Sequence, residues 1–237
     1  SVIWQNSARV GANWHEFEPY AAWAYCDTTP PVAGEGCLAL DPLFRNGAGA
    51  DFRLLPASPC LDAGRCGGWM DGAFDVAGQP RVVCGVVDMG AHEYADSSAH
   101  YVSPTGGNRH PYLHWRAAGT SIQLALDATG AGDTVWVAGG VYAPTAEICV
   151  TQNVTLASVG GAAACIVDGG ASHRCLNVST TAVVDGFTLR NGYAAGAVGG
   201  GAYTVRGGAL RNCRIVGNTA GTYGGGGEAC REVVHQQ

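Results

Sequence analysis

Two stretches decide the fold: Asp185-Gly186-Phe187-Thr188-Leu189-Arg190-Asn191-Gly192 and Arg211-Asn212-Cys213-Arg214-Ile215-Val216-Gly217-Asn218. They superpose at an offset of 26 residues, which sets Phe187 on Cys213 and Leu189 on Ile215. Each contains an apolar pair two residues apart, the spacing of a strand with one buried face. At the same offset the glycines 199–201 fall on the glycines 225–227. Two independent features sharing one offset predict a repeat. Short strands between glycine turns, recurring every 20–30 residues, cannot bury their inner face alone and must stack as a β-solenoid. Such coils stack at about 4.8 Å, with glycine at corners and at close coil-to-coil approaches.

Working upstream, Thr120 or Ser121 can cap a short helix whose apolar face is Ile122, Leu124, Ala125 and Leu126. Gly130–Gly132 ends it, Thr134–Val137 reads as a strand, and Gly139-Gly140 reads as a turn. Further strands are predicted at 147–150, 153–157, 164–168, 175–178 and 182–189. A helix placed before the first coil would cover an open solenoid end, with its bare apolar cross-section and unpaired edges. At the other extreme of the chain, Val2-Ile3-Trp4-Gln5-Asn6-Ser7 aligns with Arg214-Ile215-Val216-Gly217-Asn218-Thr219. The chain is therefore expected to start inside one coil and to end inside another, as part of a longer polypeptide. The small polar run Ala95-Asp96-Ser97-Ser98-Ala99 is the expected boundary. It gives a domain 1–96, the last coil and irregular β-rich terminal region of one β-helix. The domain 97–237 holds the capping helix and first coils of a second.

Composition agrees with a solenoid and excludes other classes. The 237 residues include 37 glycines but show no strict Gly-x-y period, which excludes collagen. A hydrophobic fraction of 47% with net charge −6 excludes a disordered chain. No apolar run is long enough for a transmembrane segment. Residues 1–96 carry twelve acids and five arginines, and residues 97–237 carry seven acids and eight arginines. Neither half forms a basic stripe, so no nucleic-acid partner is expected. All 13 basic residues are arginine, which removes Walker-type phosphate loops and lysine bases.

From Tyr101-Val102-Ser103-Pro104 onward the chain resembles right-handed parallel β-helix proteins of the pectin-lyase-like superfamily. Ile122-Gln123, Ala125-Leu126-Asp127, Gly132-Asp133-Thr134-Val135 and Gly140-Val141-Tyr142 carry that resemblance. Gly200-Gly201-Ala202-Tyr203, Gly207-Gly208-Ala209-Leu210 and Cys213 with Gly217-Asn218 resemble the repeats of polymorphic outer-membrane proteins, with cysteine where those have phenylalanine. Residues 41–94 resemble the choice-of-anchor Q terminal region of bacterial surface proteins. The carrying residues are Asp41-Pro42-Leu43-Phe44, Asp51-Phe52-Arg53-Leu54, Ser58-Pro59-Cys60-Leu61-Asp62-Ala63-Gly64, Pro80-Arg81 and Val87-Asp88-Met89-Gly90-Ala91-His92-Glu93-Tyr94. These resemblances imply a secreted or cell-surface protein, bacterial outer-membrane or extracellular. Fold alone does not set activity, because the superfamily mixes enzymes and adhesins.

Among the acids, Asp62, Asp75 and Asp88, with Asp71 and Glu93, lie on glycine-rich loops where hard oxygens could hold calcium. The alternative is that Asp62 and Asp88 bind backbone amides and fix a terminal wrap, with Arg81 clamping one of the acids. Trp14, Tyr20 and Trp23, within an aromatic run from Trp4 to Tyr25, could stack on sugar rings or cover the last coil. His110 and His114 read as surface-loop residues, and His92 as part of a plain structural ending, with proton transfer as the alternative. Asn191 and Asn218 are expected to stack as a ladder at coil corners. Cys26 with Cys37 and Cys60 with Cys66 are close enough to bridge short loops, or all four stay as packed thiols. Cys149, Cys165, Cys175 and Cys213 are expected in the core. The leading functional expectation is a non-catalytic structural or adhesive segment that meets a polysaccharide or a host or cell-surface glycan. A polysaccharide lyase or glycosidase fragment, or a sugar-binding module, is the alternative.

Overall fold

A computed structural model describes residues 1–4, 6, 22–221 and 227–229. The chain divides into two compact units, Ser1–Asp96 and Ser97–Gln237.

In the first unit, β1 (Val2–Ile3) pairs in parallel with β3 (Asp27–Thr28), and β2 (Trp23–Ala24) pairs in parallel with β4 (Gly34–Glu35). The antiparallel hairpin of β5 (Phe44–Asn46) and β6 (Asp51–Leu54) follows, joined by a tight turn at Gly47–Gly49. Asn46 caps that turn by accepting from Gly49 N at 3.1 Å. The remainder is loop and turn around a small core of Leu54, Cys60, Leu61 and Met89, against which Val2, Tyr25 and Leu38 pack.

The second unit is a parallel β-solenoid. Its strands are β7 (Ala99–Val102), β8 (Thr134–Val137), β9 (Gly140–Tyr142), β10 (Ile148–Val150), β11 (Thr155–Ser158), β12 (Cys165–Asp168) and β13 (Leu176–Val178). They continue with β14 (Val183–Asp185), β15 (Thr188–Arg190), β16 (Tyr193–Ala194), β17 (Ala202–Thr204), β18 (Ala209–Arg211), β19 (Arg214–Val216), β20 (Thr219–Ala220) and β21 (Gly227–Ala229). The chain visits three larger sheets in rotation, ordered β7-β8-β11-β14-β18, β9-β12-β15-β19 and β10-β13-β17-β21, and β16 and β20 form a fourth, two-stranded one, with every pairing parallel. Inward-facing Val135, Leu156, Val184 and Leu210 form one buried column, and Val167 and Leu189 form another.

The repeat read from the sequence is the register itself. Leu176 pairs with Ala202, Val183 with Ala209, Leu189 with Ile215, and Tyr193 with Thr219, each 26 residues apart. Gly227, however, does not keep that offset. Gly227 pairs with Ala202 instead of standing over Gly201, because the connection 221–226 is one residue shorter than the connection 195–201. Gly192 marks a close approach of the chain within one coil: a Cβ there would lie 2.1 Å from the Gly200 carbonyl oxygen.

Several local expectations change. The strand expected at 182–189 is two, β14 and β15, because Gly186 takes φ +81° and turns the corner. Gly140 begins β9 rather than completing a turn, and β7 begins at Ala99, inside the expected boundary run. The helix forms as α1 (Ile122–Asp127), with the Ser121 side chain accepting from Leu124 N. Ile122, Ala125 and Leu126 are buried, but Leu124 is 45% exposed, since two positions on from Ile122 it lies about 200° round the helix. No described helix is long and apolar enough to cross a membrane.

Candidate functional site

The acids singled out by sequence hold the loops of the first unit. Asp88 Oδ1 accepts from Asp62 N at 2.7 Å, and its Oδ2 accepts from Tyr94 N at 2.8 Å. Asp75 accepts from the backbone N–H of Ala77 (2.7 Å), Gln79 (2.9 Å) and Glu93 (2.9 Å). Burial works against the Asp75 charge, but these three donors outweigh it and, with His92, hold its pKa below the usual carboxylate value. Asp75 and Asp88 are thus backbone acceptors within one stretch of loops, and Asp62 joins them through its own backbone N–H, donated to Asp88. Among the described residues no group of three or more His, Cys, Asp and Glu side chains could hold a metal ion.

The arginine clamp forms between Arg81 and Glu93. Arg81 Nη1 lies 2.9 Å from Glu93 Oε2, and its Nη2 donates to the carbonyls of Asp88 (3.2 Å) and Gly90 (2.8 Å). The Glu93 side chain is only 1% exposed. Burial chiefly, then the charge of Asp88, pushes its carboxyl up to about 8, against the lowering pull of the Asp88 and Val83 N–H groups and of Arg81. Glu93 also lines a cavity of about 280 Å³ with Asp75, His92, Arg45 and Arg53. There His92 Nδ1 lies 3.9 Å from Asp75 Oδ2.

Trp14 and Tyr20 lie outside the described residues. Trp23 opens β2 and is half-buried. Among the described residues, Trp69 is the most exposed aromatic. Trp69, on the short turn Gly68–Met70, is 71% exposed and lines an open cleft of about 590 Å³ with Tyr25, Arg65, Met70, Arg81 and Val87. The Tyr25 hydroxyl donates to Glu35 Oε1 at 2.8 Å, which fixes its ring. A signal for Trp69 was present in Cys66-Gly67-Gly68-Trp69-Met70-Asp71-Gly72: a large aromatic among glycines has no alternating strand to bury it.

On the solenoid flank, β10, β13 and β17 turn Cys149, Asn177 and Tyr203 outward in register. Arg174 binds Glu147 at 2.6 Å, donates to the carbonyls of Gly199 and Val198, and lies 5.3 Å from the Tyr203 ring centre. Asn177 also donates to Glu147. On the neighbouring sheet Asp168 takes Arg190 and Asn191. These polar side chains are engaged with one another across successive coils, as a flank that holds its own register. Asn191 and Asn218 do not stack: the register opposes Asn218 to Gly192, and its Oδ1 accepts from Gly192 N at 2.6 Å. His110 is exposed as expected, whereas His114 is buried and its Nδ1 accepts from Ala117 N.

One stretch of the chain is similar to a pectate lyase. The relative, PEL9 of Emericella nidulans, is 43% identical over 61 residues, covering 23% of this chain and 13% of that protein. The chain therefore matches a small fraction of the curated relative's length. No family model matches. Among solved structures, the pectin methylesterase of Aspergillus niger in its penultimately deglycosylated form aligns at 19% identity with a TM-score of 0.35, over 55% of this chain and 48% of that one. The deglycosylated form gives the same score over 54% and 47%. The parallel solenoid stands on the strand pairings of this chain itself.

Proposed function

We propose that the chain is a non-catalytic, polysaccharide-binding segment of a secreted or cell-surface β-helix protein. The observation that carries this reading is the open cleft with Trp69 and Tyr25 beside Arg65. Flat apolar rings with a cation at the edge suit a sugar face that bears a carboxylate. The similarity to a pectate lyase directs the first choice of glycan to polygalacturonate. The resemblance of residues 41–94 to choice-of-anchor Q regions supports the surface location. The test is isothermal titration of the chain with polygalacturonate and with neutral glucans. Saturable binding to the acidic polymer is expected, and absence of binding across a glycan panel would sink the reading.

A second reading, a carbohydrate-active enzyme, is favoured by one observation: Glu93, raised to about 8, lines a cavity beside His92 and Asp75. A carboxyl that keeps its proton near neutrality can act as a general acid. Release of unsaturated uronates, seen as ultraviolet absorbance, or of reducing ends would replace the non-catalytic reading. In the leading reading Asp75 and Asp88 serve the backbone and no calcium is required. Calorimetric titration with calcium should then give no saturable heat.

A further inference from the structure

The ladder that carries Tyr25 also stacks two cysteines. Trp23 pairs with Gly34, Ala24 with Glu35, and Asp27 with Leu38, all in parallel and all at one offset. That single register, held on both sides, places Cys26 opposite Cys37. The backbone hydrogen bonds are continuous across the interval: Tyr25 N donates to Glu35 O at 2.8 Å, Leu38 N to Cys26 O at 2.7 Å, and Thr28 N to Leu38 O at 3.1 Å. Even the corner is shared, because Tyr25 (φ +50°) and Gly36 (φ +66°) both take the left-handed conformation. A Cβ at Gly36 would meet the Tyr25 ring at 2.7 Å, so only glycine allows the strands this close. Both cysteines are half-buried free thiols.

We propose that Cys26 and Cys37 form an oxidative cross-linking site, closing to a disulfide between neighbouring strands. Registered positions on parallel strands lie about 4.8 Å apart, within the Cα separation of about 4.4–6.8 Å that a disulfide spans. The oxidant is a small-molecule disulfide. One cysteine thiolate attacks it, forming a mixed disulfide and releasing one small thiol. The second cysteine then attacks the protein sulfur of that bond and releases the other small thiol. Two protein thiols and one small disulfide thus become one protein disulfide and two small thiols. The third thiol of this core does not compete. Cys60 is fully buried and donates to Asp27 Oδ2 at 3.1 Å, and burial and Asp27 together hold its proton on. The cross-link would fix the strands beneath Tyr25, and it holds whether or not the cleft binds sugar.

The test is incubation of the folded chain with oxidised glutathione, alkylation under denaturing conditions, and digestion without reduction by a protease that cuts after Glu35. That cut separates the two cysteines, so their peptides stay joined only through a disulfide. The expected result is loss of alkylation at Cys26 and Cys37 and recovery of the Cys26–Cys37 linked pair. Cys66→Ser should leave the pair intact. Cys26→Ser and Cys37→Ser should each abolish it, leaving at most a glutathione adduct on the remaining cysteine. The proposal is overturned if both cysteines of the wild-type chain remain alkylatable, or if either pairs with a different cysteine.

Discussion

The side-chain amide of Gln123 occupies the place of a missing strand beside Cys149. Its Oε1 accepts from Cys149 N at 2.8 Å, and its Nε2 donates to Cys149 O at 3.3 Å. Cys149 lies in β10, the first strand of its sheet, so these backbone groups have no strand before them. A primary amide has the donor and acceptor geometry of a peptide, which is why glutamine on α1 can finish the edge. The helix thereby brings both an apolar face and a polar substitute for backbone pairing to the same end of the stack.

Removing that amide should destabilise the solenoid. Gln123→Leu keeps side-chain size but leaves two backbone groups of Cys149 unpaired, at a net cost of about 1–2 kcal/mol. Urea unfolding should show a lower midpoint with an unchanged slope, and the Cys149 amide should exchange faster with deuterium. Wild-type behaviour on both measurements would show that water satisfies the edge equally well.

Asp75 gives the first unit an acid limit. Its folded pKa is depressed, so its stabilising contribution is complete above the ordinary value of about 3.9 and is lost as pH falls through the folded value. In Asp75→Asn one acceptor oxygen becomes an amide donor that faces a backbone N–H. That change should cost about 2 kcal/mol near neutrality and flatten the melting profile below pH about 4. Melting temperatures of both proteins between pH about 3 and about 7 decide it. An equal acid slope in the variant would remove Asp75 as its source.

The sequence made the stacking direction legible because solenoid repeats write the register directly into spacing. Leu189 over Ile215 is one contact, seen once as a pattern and once as a pair. The slip at Gly227 was not legible, since glycines can mark a corner without fixing which residue stands opposite. Similarly, Asn191 and Asn218 share a motif but stand one position out of register, so they bond Asp168 and Gly192 rather than each other. In the first unit composition showed acids and aromatics but not their partners. Whether an aspartate holds a metal or a turn depends on which N–H groups reach it, and those come from residues up to 26 positions away. Trp69 is legible only in part: a lone aromatic among glycines has no strand to bury it, but its place on a cleft wall depends on Tyr25 and Val87, far from it in sequence.

Thiol chemistry should separate the cysteines by layer. Cys165 and Cys175 are fully buried inside the solenoid, and burial raises them to about 12 and about 11. Cys149, expected in the core, instead faces outward on β10 and is half-buried. Cys66 is exposed. Iodoacetamide at neutral pH should therefore label Cys66 rapidly, Cys149 slowly, and Cys165 and Cys175 only after denaturation. Mass mapping of a labelling time course reads all four. Early labelling of Cys175 would mean that its coil opens well below global unfolding.

Trp69 and Trp23 should respond to substitution in opposite ways. Trp69 projects from a turn and is 71% exposed, so Trp69→Ala should change stability by less than about 0.5 kcal/mol. If its ring is a sugar platform, the same change should weaken polygalacturonate binding about tenfold, the equivalent of about 1.4 kcal/mol of stacking. Trp69→Phe should retain part of that affinity, because a smaller flat face remains. Trp23 begins the ladder that packs against Gly34, so Trp23→Ala should lower the melting temperature. Its effect on affinity should come only through Tyr25, two residues away and on the cleft wall. Titrations and thermal melts of the three variants place each ring. Affinity unchanged in a folded Trp69→Ala protein would remove Trp69 as the sugar platform.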